Sequence, residues 1–210
     1  MTDQPIDPKS AWSGAFGAEY TSRNLASDQA LRDRTLMWAR MGQSFHLEPP
    51  TSILEVGPNL GINLRVLPQL VHASLHAIEP NPAARDQLLS EKVLPPENLH
   101  AGFGDSIPVA DGAVELAFTA GVLIHVEPAR LPATLDEIYR VSSKYVLCAE
   151  YFSPRPEALP YRGHEGLLFK NDFGGLYMDR FPDLKLIDYG FFWKRASGID
   201  DITWWLFRKP

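Results

Sequence analysis

Apolar residues of this 210-residue chain fall into short runs that alternate with stretches of helical spacing. A short run bounded by turn residues is typical of a buried strand, and recurrence every three or four residues is typical of a helix. Leu31, Trp38, Met41 and Phe45, for example, line one face of a predicted helix that Ser27 caps. The predicted strands are residues 52–56, 75–78, 99–103, 114–119 and 145–149, and the predicted helices are about 28–45, 60–71, 82–92 and a segment that begins near 131.

The alternation of strand and helix stops after Tyr151. Residues 153–173 contain three prolines and predict an inserted loop, and loops of this length are usually functional. A short helix at about 175–180 and two strands, 185–193 and 202–207, complete the chain. The connection between these strands is too short for a crossover helix, so the two strands should pair antiparallel.

This pattern predicts an α/β fold, a doubly wound and mostly parallel seven-stranded sheet of the Rossmann-like kind. It carries helices on both faces and an antiparallel C-terminal hairpin. We expect two parts within the chain. Residues 1–45 form an N-terminal lid segment and helix, with about the first ten residues frayed. Residues 46–210 form the Rossmann-like domain, with the inserted loop at about 153–173.

Composition narrows the partners of such a domain. Twenty basic and 26 acidic side chains give a net charge of −6, so the chain has no overall attraction for phosphate backbones or anionic lipid. The single cysteine, Cys148, excludes an internal disulfide and a cysteine-built zinc site. Residues 116–124, the longest nearly apolar stretch, are fewer than the roughly 18 of a spanning helix, and residues 1–4 show no secretory signal. We expect a cytoplasmic protein with no nucleic acid, membrane or metal partner.

Candidate chemistry begins at the end of the first predicted strand, in residues 55–61, EVGPNLG. A glycine there lets the chain turn sharply and bring backbone amides against a ligand, and the next helix directs its positive end to the same space. Glu79 ends the second strand, at the place from which an acid accepts hydrogen bonds from ribose hydroxyls. A dinucleotide fingerprint would have glycine where the chain has Asn59 and Ile62, so a nicotinamide or flavin cofactor is disfavoured.

The same run resembles motif I of the class I methyltransferases that use S-adenosylmethionine (SAM), with Asn59 in place of the middle glycine. Asparagine tolerates a left-handed backbone better than other non-glycine residues. Further matches follow in the family's order: Glu79, Gly104-Asp105, residues 118–123 and the terminal hairpin. The resemblance implies SAM as the cofactor, with Glu79 as the ribose acid and Asp105 as the adenine-contacting acid. The implied cofactor-binding residues are Glu55, Gly57, Asn59, Gly61, Glu79, Asp105, Ser106, Tyr20, Arg23 and Gly121.

Longer stretches resemble one group in particular, the pseudaminic acid biosynthesis-associated methylases. These stretches cover nearly the whole chain from Trp12 and include both the cofactor and the acceptor regions. They are residues 12–20 with Arg23-Asn24, 121–126, 149–152, 161–170 and 188–190. The resemblance implies a sugar-type or similar small acceptor.

The densest polar cluster, YRGHE, lies on the predicted inserted loop. Within it Arg162 can clamp a carboxylate, and His164 is a natural general base near neutral pH, oriented by Glu165 or Glu150. The alternative is that these side chains form an ion-pair network that pins a long loop. His125 follows the fourth strand and is either a second base or a histidine that caps the next helix.

Aromatic residues suit the remaining tasks. The sulfonium of SAM is a cation, and aromatic faces hold a cation without competing as nucleophiles, a role for Tyr20, Tyr151 or Tyr161. Trp12, Phe16 and Tyr20 suit a lid that excludes water. The predicted acceptor-binding residues are Trp12, Tyr151, Tyr161, Arg162 and Glu165, and the predicted catalytic residues are His164, His125 and Glu150.

These observations predict a SAM-dependent methyltransferase that acts on a small polar metabolite, such as a nonulosonic-acid-type sugar. The Asp/Asn-Pro-Pro-aromatic motif of amino-methylases that act on nucleic-acid bases is absent after the fourth strand, which agrees with a small acceptor. The alternative is a SAM-consuming cyclase that forms azetidine-2-carboxylate and methylthioadenosine from SAM itself. A non-catalytic binding partner that keeps the fold for assembly is a third hypothesis.

Overall fold

The computed structural model describes residues 7–210, so residues 1–6 of the predicted frayed end, and the predicted lack of a signal there, lie outside the described residues. The helices are α1 (Pro8–Ser13), α2 (Ala15–Arg23), α3 (Asp28–Met41), α4 (Ile62–Val66), α5 (Pro82–Ser90), α6 (Leu131–Val141), α7 (Phe173–Arg180) and α8 (Lys194–Ser197). The strands are β1 (Ser52–Val56), β2 (Ser74–Glu79), β3 (Leu99–Ala101), β4 (Val114–Ala120), β5 (Ser142–Glu150), β6 (Glu157–Tyr161), β7 (His164–Lys170), β8 (Lys185–Phe192) and β9 (Ile202–Arg208).

Seven strands form one sheet in the order β3-β2-β1-β4-β5-β9-β8. The first five are parallel, and β9 pairs antiparallel with both β5 and β8. The strand order reverses between β1 and β4, which opens a crevice at the carboxyl ends of these strands, where ligands bind in this architecture. The predicted fold is confirmed, including the antiparallel C-terminal hairpin.

Apolar side chains pack on both faces of the sheet, because parallel strands are covered on both sides. On one face Trp38 of α3 stands edge-on to Phe118 of β4, with ring centroids 4.8 Å apart. The Trp38 indole N–H also donates to Asn63 Oδ1 at 2.9 Å. On the other face α6 buries Leu135 and Ile138. Helix α3 is therefore a layer of the core, whereas α1 and α2 lie across the crevice; the lid boundary at residue 45 stays a prediction.

Residues 153–173, predicted as a loop, instead contain an antiparallel hairpin made of β6 and β7. Arg162 and Gly163 form its turn with φ values of 53° and 82°. Positive φ at both positions is what a tight two-residue hairpin turn requires. Proline is compatible with this hairpin because Pro160 lies in a two-stranded sheet, where its missing N–H costs no bond to a third strand.

Several elements differ in extent from the prediction. The helix predicted over 28–45 ends at Met41 and continues as a 3₁₀ turn to Phe45. The helix predicted over 60–71 is α-helical only in α4, because Pro68 has no N–H with which to extend it. Helix α1 replaces part of the predicted frayed end, since Asp7 caps it by accepting from the Ser10 amide at 3.0 Å. Within residues 7–210, none of the helices has the length and apolar character needed to span a membrane.

Candidate active site

A cavity of about 370 Å³ lies at the carboxyl ends of β1, β2 and β4 and beneath α1 and α2. The turns after these strands form its floor, and the two N-terminal helices form its roof. Its charged and polar lining includes Lys9, Thr21, Arg34, Glu55, Asn59, Glu79, Asn81, Asp105, His125, Arg130 and Asp200.

The turn after β1 has a backbone shape that few side chains allow. Gly57, Asn59 and Gly61 have positive φ values of 68°, 50° and 67°. A Cβ on Gly57 would stand 2.9 Å from Val122 Cγ2, and a Cβ on Gly61 would stand 2.7 Å from Leu88 Cδ2. Gly57 therefore lets the turns after β1 and β4 approach each other at the cavity. Gly61 instead serves the packing of α4 against α5 and does not line the cavity.

Glu55, in β1, brings a buried carboxyl group to the cavity wall. One oxygen accepts a hydrogen bond from Asn63 Nδ2, and the other, Oε2, has no hydrogen-bond partner among the described residues. Burial raises the pKa of Glu55 to about 7, and the Asn63 bond and the nearby Arg34 guanidinium only partly offset that rise. A buried carboxylate oxygen without a partner is costly, so this atom is available to a cationic group of a ligand.

Arg34 of α3 lines the cavity near Glu55. Burial lowers the pKa of its guanidinium. Within residues 7–210 this guanidinium forms no ion pair, since no carboxylate oxygen lies within 4.0 Å of it. Its side-chain hydrogen bond goes to Met37 Sδ at 3.7 Å. A guanidinium offers a planar pair of donors that fits a carboxylate. Glu55 and Arg34 together thus provide an acceptor for an ammonium group and donors for a carboxylate, the two charged ends of an α-amino acid.

Glu79, buried at the end of β2, is held by two backbone amides. Its Oε2 accepts from the Asn59 N–H at 3.0 Å, and its Oε1 accepts from the Asn81 N–H at 2.8 Å. Burial raises its pKa, and these two bonds oppose the rise. Each oxygen keeps a lone pair for a further donor, so the carboxylate can bind paired hydroxyls such as those of a ribose.

Asp105, after β3, receives an ion pair from the roof of the cavity. Lys9 Nζ lies 2.7 Å from Asp105 Oδ2, and Arg130 Nη1 lies 3.2 Å from the same atom. Lys9 also stands over the Phe103 ring, 4.8 Å from its centroid. Burial favours the neutral acid, but the bonds with Lys9 and Arg130 outweigh it and lower the pKa of Asp105. The Lys9 ammonium is thus paired with the carboxylate that the family resemblance predicts to contact adenine.

Three further hydrogen bonds hold α1 and α2 over the cavity. Thr21 Oγ1 donates to Asn59 Oδ1 at 2.8 Å. Asn81 Nδ2 donates to the Trp12 carbonyl at 2.9 Å and to the Gly14 carbonyl at 3.1 Å. Asn59 therefore has two roles that a glycine could not combine, since it adopts the left-handed backbone and also anchors the roof.

His125 ends the 3₁₀ turn after β4, and its half-buried ring lines the cavity. Its Nδ1 lies 2.6 Å from the Leu167 carbonyl, which can only accept, so Nδ1 carries the hydrogen and Nε2 remains an acceptor. Burial lowers its pKa to about 4, which keeps the ring neutral near pH 7. Trp12 packs against this ring at 4.5 Å between centroids, and Tyr161 packs against it at 5.0 Å.

These rings belong to an aromatic cluster that joins the roof to the β6–β7 hairpin. Trp12 contacts Phe16 at 5.2 Å and Tyr20 at 5.3 Å between centroids. Phe16 in turn stands edge-on to His164 at 5.6 Å and to Tyr161 at 6.3 Å. The cluster closes one side of the cavity with apolar surface, which favours exclusion of water.

The cavity brings together nine of the predicted site residues. They are Trp12, Tyr20, Glu55, Gly57, Asn59, Glu79, Asp105, Gly121 and His125. It does not include Gly61, Ser106 or Arg23. Ser106 is exposed beside Asp105, and Arg23 pairs with Glu19 at 3.6 Å on the exposed side of α2.

The hairpin residues predicted to act on the acceptor lie outside the cavity lining. Arg162 is exposed at the turn and stands over the Tyr161 ring at 5.6 Å, and Glu165 is exposed as well. His164 is used in packing against Phe16. The reason is the hairpin itself, whose tight turn directs these polar side chains to its tip and not into the cavity.

Glu150, predicted to orient His164, supports the turn after β4 instead. It is fully buried, and its two oxygens accept from the Val122 N–H at 3.3 Å and the Ile124 N–H at 3.4 Å. Burial raises its pKa to about 7 against the effect of these hydrogen bonds. Glu150 therefore fixes the segment that ends in His125.

Sequence reasoning missed several lining residues. Arg34 lies on a predicted helix face with no motif, and Lys9 lies in the predicted frayed end. Asp200 lines the cavity and accepts from the Tyr151 hydroxyl at 2.9 Å, which places Tyr151 behind the lining. Arg130 likewise carries no spacing signal, because its role depends on a neighbour 25 positions away in the chain.

Comparison with known proteins agrees with this geometry. A family model described as a methyltransferase domain matches residues 54–147, the part that contains the turns after β1, β2 and β4. This match covers less than half of the chain and agrees with the predicted enzyme class, a methyltransferase. The search of curated proteins gave no match.

Solved structures of similar fold include three that are informative. The Burkholderia thailandensis 1,6-didemethyltoxoflavin-N1-methyltransferase, with bound 1,6-didemethyltoxoflavin and S-adenosylhomocysteine, is 16% identical with a TM-score of 0.66, over 99% of this chain and 93% of that chain. The N-methyltransferase NodS of Bradyrhizobium japonicum, in complex with S-adenosylhomocysteine, is 16% identical with a TM-score of 0.62, over 92% of this chain and 98% of that one. The cyclase SpnF is 14% identical with a TM-score of 0.58, over 84% and 80%. At these identities the likeness establishes the fold.

Proposed function

We propose that this protein is a SAM-dependent methyltransferase that acts on a small polar metabolite, with a nonulosonic-acid-type sugar as the specific candidate. One observation carries the proposal: within residues 7–210 Glu55 Oε2 has no hydrogen-bond partner and Arg34 forms no ion pair, and both lie in the same cavity as Glu79 and Asp105. Those four groups match the ammonium, carboxylate, ribose and adenine of SAM. A cytoplasmic location and a small-molecule partner are parts of this proposal.

The cofactor fits the residues present. Glu55 Oε2 accepts from its ammonium, Arg34 binds its carboxylate and Glu79 binds its ribose hydroxyls. Asp105 accepts from the adenine amine once Lys9 has moved away. The cavity of about 370 Å³ lies within the range of roughly 300–1,000 Å³ that is usual for small-ligand pockets. When bound, SAM supplies an electrophilic methyl group on a sulfonium.

The chain's own contribution to methyl transfer is positioning, desolvation and a proton acceptor. Trp12 and Tyr20 exclude water and place aromatic faces near the cation. His125 Nε2, the acceptor nitrogen of the ring, would accept a hydrogen bond from an O–H or N–H nucleophile and would take its proton. Glu150 keeps the His125 segment in place through the amides of Val122 and Ile124.

A second candidate function is supported by the closed roof. The cavity is of a size that suits one cofactor, and the contacts of Thr21 and Asn81 that close it form without an acceptor. Such a site suits a SAM cyclase, in which the amine displaces methylthioadenosine from its own γ-carbon and forms azetidine-2-carboxylate. Glu55, whose pKa burial raises to about 7, would then receive the proton that the ammonium loses.

Product analysis separates the two functions. We expect S-adenosylhomocysteine only when SAM is incubated together with an acceptor such as a nonulosonic acid. Methylthioadenosine and azetidine-2-carboxylate from SAM alone would replace the methyltransferase with the cyclase. Binding of S-adenosylhomocysteine without turnover of SAM under any of these conditions would indicate a binding protein.

A matched pair of variants tests the catalytic side of the proposal. His125→Asn should lower turnover, whereas His164→Asn should leave turnover near the wild-type value, because His164 does not line the cavity. Both should bind S-adenosylhomocysteine with nearly unchanged affinity, which verifies that they are folded. Equal turnover in the two variants would refute the role of His125.

A further inference from the structure

The sheet ends in an unusual row of exposed apolar side chains. Strand β8 is the edge strand, with β9 on one side. Ile187, Tyr189, Phe191 and Trp193 are 37%, 64%, 58% and 53% exposed. Because side chains alternate along a strand, Tyr189 and Phe191 lie on one face of the sheet, with Ile187 in a bulge before them and Trp193 just after the strand. Large exposed apolar patches on soluble domains mark interaction sites.

After the bulge that precedes it, the segment from Asp188 to Phe192 carries no lysine or proline to protect the edge strand. Native edge strands carry lysine, proline or inward charges that discourage pairing with another chain. Between Ile187 and Trp193 the only charged residue is Asp188. Its carboxylate is used on the opposite face, where it accepts from Ser44 and pairs with Arg40 at 3.7 Å. The exposed face of this segment is therefore uncharged.

We propose that β8 pairs antiparallel with β8 of a second copy of this chain, about a two-fold axis at Gly190. In that register Tyr189 of each copy lies opposite Phe191 of the other. Aromatic pairs of this kind stabilise adjacent strands. The pairing is self-complementary, as a two-fold interface must be, and it brings no charge against a like charge.

The charge and the exposed area of this edge favour a second copy of the chain as the partner. A partner with a charged edge would lose hydration against this uncharged face, whereas a second copy presents the same apolar row. At roughly 200 Å² for each aromatic side chain, the exposed parts of Tyr189, Phe191 and Trp193 amount to about 350 Å² per copy. That is nearly half of the about 800 Å² that each partner buries in a specific complex.

A bulge in β8 limits the number of residues that can pair with the second copy. The register between β8 and β9 shifts between Leu186 and Asp188, so regular pairing starts after this bulge. The segment from Asp188 to Phe192 has the length of an average strand and is centred on Gly190.

Sedimentation analysis over a wide concentration range tests for the dimer. We expect the wild-type chain to be dimeric at high concentration, and Phe191→Lys to raise its dissociation constant at least tenfold. Leu36→Lys, a change at a 66% exposed residue of α3, is the matched control and should dissociate as the wild type does. A chain that stays monomeric, or a dimer that Phe191→Lys leaves intact, would overturn the proposal.

Crosslinking tests the register. The single natural cysteine, Cys148, is buried and does not interfere. A mixture of the Tyr189→Cys and Phe191→Cys variants should form an intermolecular disulfide on mild oxidation, because the two positions are opposite across the proposed axis. A mixture of Ile187→Cys and Phe191→Cys places the thiols diagonally and should crosslink much less. Equal crosslinking in both mixtures would refute the register about Gly190.

Discussion

Replacing Glu55 with glutamine should stabilise the free protein and weaken cofactor binding at the same time. The glutamine oxygen can keep the Asn63 bond, and its amide group replaces the oxygen that has no partner among the described residues. Removing the carboxylate therefore removes a buried charge without removing a hydrogen bond. For the ligand, the same change removes the proposed acceptor of its ammonium group.

The size of the effect follows from the pKa of Glu55. Burial raises this pKa from 4.5 to about 7, and a tenfold change in a protonation equilibrium corresponds to about 1.4 kcal/mol. Because the folded-state pKa is raised, the wild-type protein loses about 3 kcal/mol as the pH rises from about 4.5 to about 7, and the loss is then constant. Glu55→Gln does not have this loss, so its gain in stability should be absent near pH 4.5 and largest above pH 7.

Urea unfolding of both proteins across this pH range measures the gain, and calorimetry with S-adenosylhomocysteine measures the binding. We expect binding to weaken by about 1.5–3 kcal/mol, since the bond lost is to a charged group. Glu150→Gln is the matched control. Burial raises the pKa of Glu150 to about 7 as well. Both of its oxygens, however, accept hydrogen bonds from backbone amides, so the NH₂ of a glutamine would face an N–H donor. Glu150→Gln should therefore not stabilise the protein. A Glu55→Gln variant with wild-type stability at pH 8 and wild-type affinity would refute this account of the site.

Three further changes test the cavity. Glu79→Ala should weaken binding of S-adenosylhomocysteine by about 1–3 kcal/mol in calorimetry, because buried polar partners lose their acceptor; unchanged affinity in a folded variant would refute the ribose role. Thr21→Val should speed hydrogen exchange in α2 while the sheet amides keep their rates, since it breaks the bond to Asn59; unchanged exchange would show that this bond does not hold the roof. Lys9→Met should tighten binding of S-adenosylhomocysteine a few-fold, because it frees Asp105 for adenine, and weaker binding would contradict that competition.

The parts of the fold that repeat locally could be predicted from the sequence, and the parts that depend on distant contacts could not. The five parallel strands and the turns at Gly57 and Glu79 follow from apolar runs and turn residues. The hairpin at 157–170 could not be predicted because it contains Pro160, which is tolerated only in a two-stranded sheet that no local pattern indicates. The role of Arg34 could not be predicted, because it depends on the fold that brings this residue near Glu55.

Candidate catalytic residues were harder to predict than cofactor residues for the same reason. A polar cluster such as the one around His164 attracts attention because it is dense in sequence, yet a tight turn directs it away from the cavity. His125 is isolated in sequence, but the Leu167 carbonyl gives it a defined tautomer and the Trp12 ring packs against it at the cavity. Chemical role here depends on orientation, which side-chain spacing alone does not specify.

The asparagine in the turn after β1 has a kinetic consequence. Asn59 joins that turn to α2 through Thr21, so the segment that covers the ligand is tied to the segment that holds it. Entry of the cofactor must break this tie together with the Lys9 ion pair, and exit must break the tie with Asn59 again. Association should therefore be slower than simple diffusion would allow, and a bound molecule should have a long residence time. An Asn59→Gly variant would keep the shape of the turn, but the cofactor would enter and leave the cavity faster.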